Sequence, residues 1–499
     1  MSSETVAIVG SGVSGLSAAR YLAANGFQPT IFEAYSDLGG QWNRANPKSG
    51  VWPQMRTNTG KFATKLSDVQ YPAGTALFPR NGEVLAMINE FAEKFALRRC
   101  IRFNSTVTRL ERADAGYSVT WTDERGEEHT ARFDRAVVAS GRFNKPEIPA
   151  IPGLDGFTGA GGVVHTFDYK EPERFRGMRV LVCGGSISSL EIASDQAMGG
   201  AASVSLAQRR QRFVMPKMVA GAPLEYFVFT RAGALRLADT PDETLLADAK
   251  ELLLRIGGNP ARYGAPAPHD DLAKAGVTGS QHYLNLIAED RITVRPWISH
   301  LEGNIVHYLD GTQEETDAII VGTGFDLNLP YLDDEISDII ALTRKGMNLS
   351  EFTFHPELPG LAFLGLWAQL GPYPVVLEQQ ARYLAYAWAG LAPMPTESEL
   401  RDGVRRCIQE NHHTGYREQH EMAIRFAKLA GTDPAGVVNE RLAAVLEKSA
   451  VTGEMFRIVG PDALPDAAAR LIADFDAHAP LDVQRELAEA ISPVLASRG

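Results

Sequence analysis

The sequence predicts an α/β protein built on two doubly wound, Rossmann-like parallel sheets, and three observations lead to this fold class. Two glycine-rich loops, residues 10–15 and 184–189, each follow a short apolar run and precede a helix-like segment. The chain has 499 residues, well beyond the roughly 250 to 300 at which a single hydrophobic core stops growing. From residue 396 onward no glycine loop occurs and apolar residues recur at helical spacing, which predicts a helical C-terminal extension.

The first glycine loop, residues 10–15, has the spacing of a dinucleotide-binding turn. Gly10 permits the tight turn, Gly12 lets the backbone approach a pyrophosphate, and Gly15 lets the helix pack closely on the strand. The next strand ends at Glu33, eighteen positions after Gly15, where a carboxylate accepts hydrogen bonds from ribose hydroxyls. An acid there disfavours a 2′-phosphate, so this site is expected to hold FAD or NAD rather than NADP.

The second glycine loop, residues 184–189, repeats the unit but has serine at the second and third glycine positions. A serine puts side-chain atoms where phosphate and strand come close, although its hydroxyl can donate to phosphate. One strand later, arginines stand where the first unit has its acid, and arginine forks suit a 2′-phosphate. The loop is predicted to bind NADP(H), with a degenerate, empty fold as the alternative. The predicted binding residues are Gly184, Ser186, Ser188, Ser189, Arg209 and Arg210.

Composition and charge exclude several classes of function. The chain has 61 acidic and 49 basic residues, and its net charge of -12 repels nucleic-acid backbones. Its three cysteines, Cys100, Cys183 and Cys407, have neither metal-ligand nor redox-pair spacing, and the amino terminus lacks a secretion signal. These features predict a cytoplasmic protein without a metal site. The longest uncharged stretch, Leu358–Leu377, is interrupted by prolines and glycines, so it predicts a buried strand, a turn and a helix start rather than a membrane span.

Two bound redox nucleotides most simply pass electrons between them, and the cysteine pair of a disulfide reductase is absent. Several segments, in the right order over roughly Val6–Leu391, resemble the flavin-containing monooxygenases. Residues 157–169 resemble that family's fingerprint FxGxxxHxxxY, with five residues instead of three between Gly159 and His165. The other segments are Leu38-Gly39-Gly40-Gln41-Trp42, Thr57-Asn58-Thr59-Gly60-Lys61, Val138-Ala139-Ser140-Gly141, Val321-Gly322-Thr323-Gly324-Phe325 and Glu378-Gln379-Gln380-Ala381-Arg382.

The resemblance implies a reaction in which NADPH reduces FAD and O2 adds to the reduced flavin. The resulting flavin C4a-hydroperoxide then gives one oxygen atom to a soft nucleophile, by amine N-hydroxylation or N-oxidation, or by S-oxidation. Because the cofactor carries this chemistry, the chain needs no catalytic series of nucleophile, base and acid. It also needs no metal-binding HExxH motif. The expected partners are a small-molecule substrate and O2, with a homo-oligomer left open and neither nucleic acid nor membrane expected.

The resemblance also implies roles for particular residues. It puts Asn58 beside the peroxide as a hydrogen-bond donor, which makes Asn58 the predicted catalytic residue. His165 is expected to have a structural role between the domains, since a lone histidine in an apolar run more often satisfies a buried hydrogen bond. Further cofactor contacts are expected from Gly40, Gln41, Trp42 and Gly324.

Two alternative functions remain open at this point. Baeyer-Villiger monooxygenases use the same peroxide against ketones, but their fingerprint usually ends in tryptophan, where Tyr169 stands here. They also usually carry Tyr-Pro-Gly after the Gly-Gly-x-Trp element, where this chain has residues 43–48. The second alternative is a flavoprotein that senses redox state without oxygenation, which Ser186 and Ser189 would support. The substrate itself cannot be derived from the sequence.

We expect an FAD-binding domain over residues 1–172 and 325–394, with an NADP(H)-binding domain, residues 173–324, inserted into it. Residues 215–271, called the insert below, are too long for a plain connection and form either a substrate lid or helical padding. Residues 395–499 form the helical extension, for which packing is favoured over a substrate-channel cap or a subunit contact. Its helices are expected over Val438–Leu446, Ala467–Ala477 and Leu481–Ala496.

Overall fold

The computed structural model describes residues 3–239, 242–410, 416–437 and 439–484. The strands are β1 Thr5–Val9, β2 Gln28–Phe32, β3 Ile101–Arg102, β4 Thr106–Arg112, β5 Tyr117–Thr122, β6 Glu128–Phe133, β7 Arg135–Val138, β8 Lys145–Pro146, β9 Gly162–His165, β10 Arg179–Cys183, β11 Ser203–Ala207, β12 Phe213–Met215, β13 Met218–Val219, β14 Ala222–Pro223, β15 Val277–Gly279, β16 Thr293–Arg295, β17 Ile298–Glu302, β18 Ile305–Tyr308, β19 Gln313–Glu315, β20 Ala318–Val321, β21 Phe325–Asp326, β22 Leu361–Phe363, β23 Gln369–Leu370 and β24 Arg417–Glu418.

The α-helices alternate with these strands in the first 330 residues and then dominate the rest of the described chain. They are α1 Val13–Ala24, α2 Asn81–Lys94, α3 Ile187–Gly199, α4 Glu225–Val228, α5 Arg231–Asp239, α6 Asp242–Gly257, α7 Leu272–Ala275, α8 Tyr283–Ala288, α9 Asp334–Ile339, α10 Tyr373–Ala389, α11 Glu397–Gln409, α12 Gln419–Leu429, α13 Glu440–Lys448 and α14 Ala467–His478.

The first glycine loop belongs to a five-stranded sheet in the order β22-β7-β1-β2-β3, with every pair parallel. Successive side chains of a strand point to opposite faces, so β1 contributes to two cores. Val6 and Ile8 pack with α1 and α10, whereas Ala7 and Val9 pack against the antiparallel sheet β4-β5-β6. Burial on both faces explains why Val6–Val9 is an unbroken apolar run.

The second glycine loop belongs to a sheet of the same construction, in the order β16-β11-β10-β20-β9, again all parallel. One face of β10 packs with α3 and α8, and the other packs with the antiparallel sheet β17-β18-β19. The chain enters and leaves this part of the fold through β8 and β21, which pair antiparallel. The predicted fold class, two doubly wound sheets with the second inserted in the first, is therefore confirmed; the exact domain boundaries remain predictions.

The strands and helices next to both glycine loops lie where the sequence pattern puts them. The apolar run Val6–Val9 lies in β1, and the run beginning at Arg179 coincides with β10. The uncharged stretch Leu358–Leu377 contains β22, β23 and the first turn of α10, as predicted. Within the described residues, no helix is both long and apolar enough to span a bilayer.

The helices after residue 395 pack into the core of the first sheet rather than forming a separate layer. Helix α10 is buried along nearly its whole length because α1 covers one side and α12 covers another. Met455 and Phe456 are completely buried in the same core as α1. The helices expected near residues 438–446 and 467–477 correspond to α13 and α14. The third expected helix, Leu481–Ala496, lies largely outside the described residues. Val438, the first residue of the expected helix 438–446, also lies outside them.

A buried ionic cluster, the Arg457 network, joins this C-terminal region to the first domain. The guanidinium of Arg457 donates to both carboxylate oxygens of Asp68, at 3.0 and 3.1 Å, and to the hydroxyls of Tyr21 and Ser67, at 2.9 Å each. The carboxylate of Glu378 on α10 accepts from Tyr21 and Ser67. All five side chains are buried, so the cluster lies between α1, α10 and the segment that precedes α14.

The insert is largely helical and reaches the C-terminal region. It contains β13, β14 and helices α4 to α6, and α5 packs against α12 and α13. An isolated bridge pairs Thr230 with Ala450, and the ring of Tyr226 lies 5.5 Å from that of Phe62 in the first domain. The insert therefore contacts both the first domain and the C-terminal helices.

Candidate functional site

The first glycine loop forms a cradle in which backbone comes very close to backbone. Gly10 has φ +101°, and a Cβ on Gly15 would lie 1.9 Å from the Gly10 carbonyl oxygen. A Cβ on Gly40 would lie 3.1 Å from Cα of Gly12. Helix α1 starts directly after Gly12 and has no side-chain cap, so its first N–H groups are open to an anion. The cradle fits a pyrophosphate.

Glu33 lies at the end of β2, beside the first glycine loop, with its side chain almost fully buried. One carboxylate oxygen accepts from the backbone N–H of Ser11 at 2.9 Å and from its hydroxyl at 2.6 Å. The other oxygen accepts from the N–H of Tyr35 at 3.1 Å. A carboxylate offers about four acceptor positions, so one is still open to a ribose hydroxyl. The predicted FAD contacts at the glycine loop and at Glu33 are thus brought together in one place.

Gln41 and Trp42 lie on a short 3-10 helix that begins at Gly40. The amide nitrogen of Gln41 donates to the carbonyls of Lys48 and Phe143, both at 2.7 Å, and its oxygen accepts from the N–H of Gly50. The Gln41 side chain is therefore committed to the protein backbone and fixes the shape of this loop. The indole of Trp42 is half-buried against the first core.

Ser189, which stands at the third glycine position of the second loop, is accommodated by a glycine that directly follows β20. Its hydroxyl lies 3.1 Å from the carbonyl oxygen of Gly322, and a Cβ on Gly322 would come within 2.1 Å of that hydroxyl. Gly322 thus supplies the room that Gly15 supplies in the first loop. The close packing of helix on strand is kept, but the Ser189 hydroxyl is directed at a protein carbonyl rather than at a cofactor.

The remaining predicted NADP(H) residues lie where the parallel strands of the second sheet end. Ser186 precedes α3 without making a capping bond, and Ser188 in the first turn is exposed. Because β10 and β11 are parallel neighbours, Arg209 and Arg210 follow β11 beside the glycine loop. Both arginines are exposed; the guanidinium of Arg209 lies 4.8 Å from the ring centre of Trp297. Hydroxyls, a helix N-terminus and guanidinium groups at one edge fit a phosphate-bearing nucleotide.

The end of the fingerprint, residues 165–170, joins the two domains. Nδ1 of His165 accepts from the N–H of Phe167 at 3.0 Å, and burial lowers the pKa of His165, so the imidazole is neutral at pH 7. The hydroxyl of Tyr169 donates to Asp195 on α3 at 2.7 Å, and Lys170 donates to carbonyls of residues 49 and 51 in the first domain. Gly324 lies on the strand connection between domains, with φ +100°. These contacts agree with the expected structural role of His165.

Asn58 lies in a loop, residues 57–60, that the insert contacts at both ends; we call it the Asn58 loop. The side-chain oxygen of Asn58 is buried and has no hydrogen-bond partner among the described residues. Lys217 of the insert lies 3.5 Å from the carbonyl oxygen of Thr57 and forms a 2.9 Å ion pair with Glu191 on α3. At the other end, the N–H of Gly60 donates to the carboxylate of Glu225. The oxygen of Asn58 can therefore accept from a ligand or from an ordered water.

Glu225 is the functional candidate that sequence reasoning missed. It is the first residue of α4, its side chain is 1% exposed, and its second carboxylate oxygen has no partner in the described part of the chain. Burial raises the pKa of Glu225 from 4.5 to about 7, against the opposing effect of the Gly60 N–H. The sequence signal nearby is a group of aromatic residues, Tyr226, Phe227 and Phe229, which does not identify a carboxylate.

The pKa of Glu225 predicts a pH-dependent stability that the E225Q variant lacks. The folded protein binds this proton more tightly than the unfolded chain, so the stabilisation is complete below pH 4.5 and is lost as the pH rises through about 7. The loss amounts to about 3 kcal/mol, at about 1.4 kcal/mol per pKa unit. We expect the apparent free energy of unfolding of the parent protein, measured in urea, to fall relative to that of E225Q over this window. Parallel pH profiles of the two proteins would contradict the prediction.

Comparison with known proteins agrees with this geometry. A family model described as flavin-binding monooxygenase-like matches residues 3–439. Flavin-containing monooxygenase 5 of Oryctolagus cuniculus is 27% identical over 486 residues, covering 92% of this chain and 90% of the relative. Flavin-containing monooxygenase 2 of Homo sapiens is 30% identical over 418 residues, covering 81% of this chain and 77% of the relative.

Solved structures with the same fold come from several monooxygenases. S-allyl-L-cysteine S-oxygenase from Allium sativum has a TM-score of 0.65 at 21% identity and covers 98% of this chain and 99% of its own. The open structure of cyclohexanone monooxygenase has a TM-score of 0.63 at 17% identity and covers 86% of this chain and 98% of its own. The OTEMO complex with FAD and NADP has a TM-score of 0.62 at 19% identity and covers 82% of this chain and 89% of its own.

Proposed function

The chain belongs to the flavin-binding monooxygenase-like family and is an oxidoreductase that uses FAD and NADPH, and from this premise we propose that it oxygenates a soft nucleophile, an amine nitrogen or a sulfide sulfur. The observation that carries the proposal is the side chain of Asn58: no donor of the described residues holds its buried oxygen, so the amide can turn its N–H toward a ligand. Asn58 lies in a loop of the FAD-binding half that the nicotinamide half contacts from the other side. A small-molecule substrate and O2 are the reactants that this family implies.

The bound cofactors supply the electron transfer and the activation of O2, and the protein supplies binding, orientation and shielding. The first glycine loop and Glu33 hold the flavin nucleotide, and the second loop with Arg209 and Arg210 holds the nicotinamide nucleotide. The Asn58 amide donates a hydrogen bond toward the reacting oxygen. The insert contacts the Asn58 loop through Lys217 and Glu225, which favours a lid over mere padding.

The end of the fingerprint supports amine or sulfide oxygenation over the Baeyer-Villiger reaction, because Tyr169 stands where Baeyer-Villiger enzymes usually have tryptophan. The Tyr169 hydroxyl donates to Asp195 and accepts from the side-chain nitrogen of Gln196. The tryptophan usual at this point in Baeyer-Villiger enzymes has an indole N–H that donates only, so it could not make both bonds. Among the relatives, one from Mus musculus is named an N-oxide-forming monooxygenase, and the structure from Allium sativum is an S-oxygenase.

The redox-sensing alternative loses part of its support in the second glycine loop. It rested on Ser186 and Ser189 as signs of a degenerate site. Ser189 is accommodated by Gly322, so the close packing needed for nucleotide binding is preserved. A cytoplasmic location remains a prediction, and a homo-oligomeric state remains open. The three cysteines are all unbridged.

The test supplies NADPH and O2 to the FAD-loaded protein with one of three probes: N,N-dimethylaniline, methyl p-tolyl sulfide or cyclohexanone. We expect N-oxide or sulfoxide to form in step with NADPH consumption, with no lactone. Products must be quantified together with hydrogen peroxide, because uncoupled flavin also consumes NADPH. Lactone as the main product would support the Baeyer-Villiger alternative, and an NADPH-inert yellow protein would support the binding-only alternative.

The two arginines after β11 predict the preference for NADPH over NADH. A charge-assisted hydrogen bond contributes about 1.5 to 3 kcal/mol, so R209A and R210A are each expected to raise the KM for NADPH about 10- to 100-fold. The KM for NADH should stay nearly constant, because NADH lacks the 2′-phosphate. The control is R291A, since Arg291 is also partly exposed but precedes β16 at the opposite edge of the sheet. An equal rise with both nucleotides would contradict the assignment.

A further inference from the structure

We propose that Glu225 is a positioning residue for Asn58: its carboxylate holds the N–H of Gly60 and so fixes the Asn58 loop in the geometry that the reaction needs. The inference rests on the proposed function of Asn58. It adds a residue from the nicotinamide half to machinery that otherwise lies in the flavin half. Glu225 acts through the loop backbone, so no contact with substrate or cofactor is assigned to it.

The Asn58 loop is held within the first domain at both ends. After Asn58, the hydroxyl of Thr59 lies 2.7 Å from that of Thr64, and the carbonyl of Gly60 accepts from the N–H groups of Ala63 and Thr64 at 3.0 Å each. The N–H of Thr57 donates to the carbonyl of Pro79 at 2.9 Å, and the Thr57 hydroxyl donates back within the loop to the carbonyl of Thr59 at 2.8 Å. The side-chain oxygen of Asn58 contributes no bond in the described structure. Removing the bond from Gly60 to Glu225 would leave the Gly60 N–H without its acceptor and remove the contact by which the insert fixes this end of the loop.

Glu225 is not needed to hold its own helix in place. The next residue, Tyr226, packs its ring against Phe62 and donates its hydroxyl to the carbonyl of Asp474 at 3.1 Å. These contacts dock α4 onto the first domain and α14 without any help from the carboxylate. The Glu225 side chain thus serves the loop specifically.

Making this single contact with a buried carboxyl group costs stability. The carboxyl group is fully buried, it receives one donor from the loop, and its second oxygen has no partner in the described residues. Leaving a buried acceptor unsatisfied costs stability, and such costs concentrate at functional sites. Together with Lys217 at the Thr57 end, Glu225 makes the placement of Asn58 depend on how the two domains sit against each other.

The test compares E225Q, E225L and the neighbouring control Y226F in the FAD-loaded protein. Glutamine keeps an acceptor for Gly60, leucine removes it, and Y226F removes a docking contact of α4 while leaving the carboxylate. We expect E225L to lower product formed per NADPH about 10- to 100-fold, the order that misplacement of a reacting group costs. E225Q and Y226F should stay within about threefold of the parent. The rate of flavin reduction by NADPH should be nearly constant in all of them.

The double variant N58A/E225L tests whether Glu225 acts through Asn58. If it does, the double variant should be no worse in coupling than N58A alone, because the loop no longer has an amide to place. Multiplied losses would overturn the proposal, as would an equal loss in Y226F.

Hydrogen exchange of the peptide that contains residues 57–60 gives a readout independent of turnover. We expect faster exchange at Gly60 in E225L and parent-like exchange in E225Q and Y226F. Unchanged exchange in E225L would overturn the proposal even if its activity fell. If N58A itself leaves coupling intact, the proposed role of Asn58 fails, while the exchange data still decide whether Glu225 holds the loop.

Discussion

Replacing Gly15 with alanine is expected to yield a protein that retains less than about a tenth of the parent's bound FAD. The new Cβ would lie 1.9 Å from the carbonyl oxygen of Gly10, and this oxygen is backbone and cannot rotate aside. Helix α1 must then move away from β1, which displaces the N–H groups at its start from the pyrophosphate. Forcing a methyl group into such a contact typically costs about 1 to 3 kcal/mol or more.

The measurement is the amount of FAD released per mole of purified protein, together with thermal unfolding followed by far-UV circular dichroism. The matched control is G82A, because Gly82 also lies in the first turn of a helix but would have no atom within 4 Å of an added Cβ. G82A should keep its FAD and be as stable as the parent or more so, by about 0.5 to 1 kcal/mol. Full FAD occupancy in G15A would show that the first glycine loop does not bind the flavin nucleotide in this way.

Replacing Arg457 with alanine is expected to cost about 3 to 5 kcal/mol of stability, the usual effect of removing one partner from a buried ion pair. The guanidinium is 1% exposed and donates to both oxygens of Asp68. Without it, Asp68 keeps only its 3.2 Å ion pair with Arg20 among the described contacts, and Glu378 loses the guanidinium that lies 3.5 Å away. Burial already raises the pKa of Glu378, and Arg457 opposes that rise, so the variant should also take up a proton there.

The control for this prediction is R441A, which removes an ion pair of the same type at the surface. Arg441 and Asp476 lie 2.8 Å apart, but their side chains are 54% and 52% exposed. Pairs of this kind contribute at most about 1 kcal/mol. Unfolding in urea, followed by tryptophan fluorescence, should therefore separate R457A from R441A by several kcal/mol. Equal losses would mean that the Arg457 network does not stabilise the junction between the first domain and the C-terminal helices.

The parts of the fold and site that could be predicted from sequence are those determined by neighbours along the chain. The turn at Gly10 and the packing of Gly15 against Gly10 involve residues within one supersecondary unit, so their spacing alone identifies the unit. The acid at the end of β2 and the arginines after β11 follow from the same unit, because parallel strands bring their ends to one edge. The predicted sites are accordingly compact in the structure.

The parts that could not be predicted depend on contacts between distant residues. Ser189 was expected to disturb the second loop, but Gly322, 133 positions later, provides the room for it. Glu225 reaches Gly60 across 165 positions, and nothing in the residues around either position indicates the contact. The C-terminal helices show their amphipathic pattern clearly, yet the pattern does not say that Arg457 pairs with Asp68, 389 positions away.

The shared core of α1, α10 and the segment around Phe456 has a consequence for how the protein is made. As the chain leaves the ribosome, β1, α1 and β2 emerge early, but Phe456, which packs in the same core, emerges more than four hundred positions later. Until the segment around Phe456 is synthesised, part of the apolar core of the flavin-binding half stays exposed to solvent. We therefore expect firm flavin retention to develop only near the end of synthesis, and chains stalled before α14 to depend on chaperones.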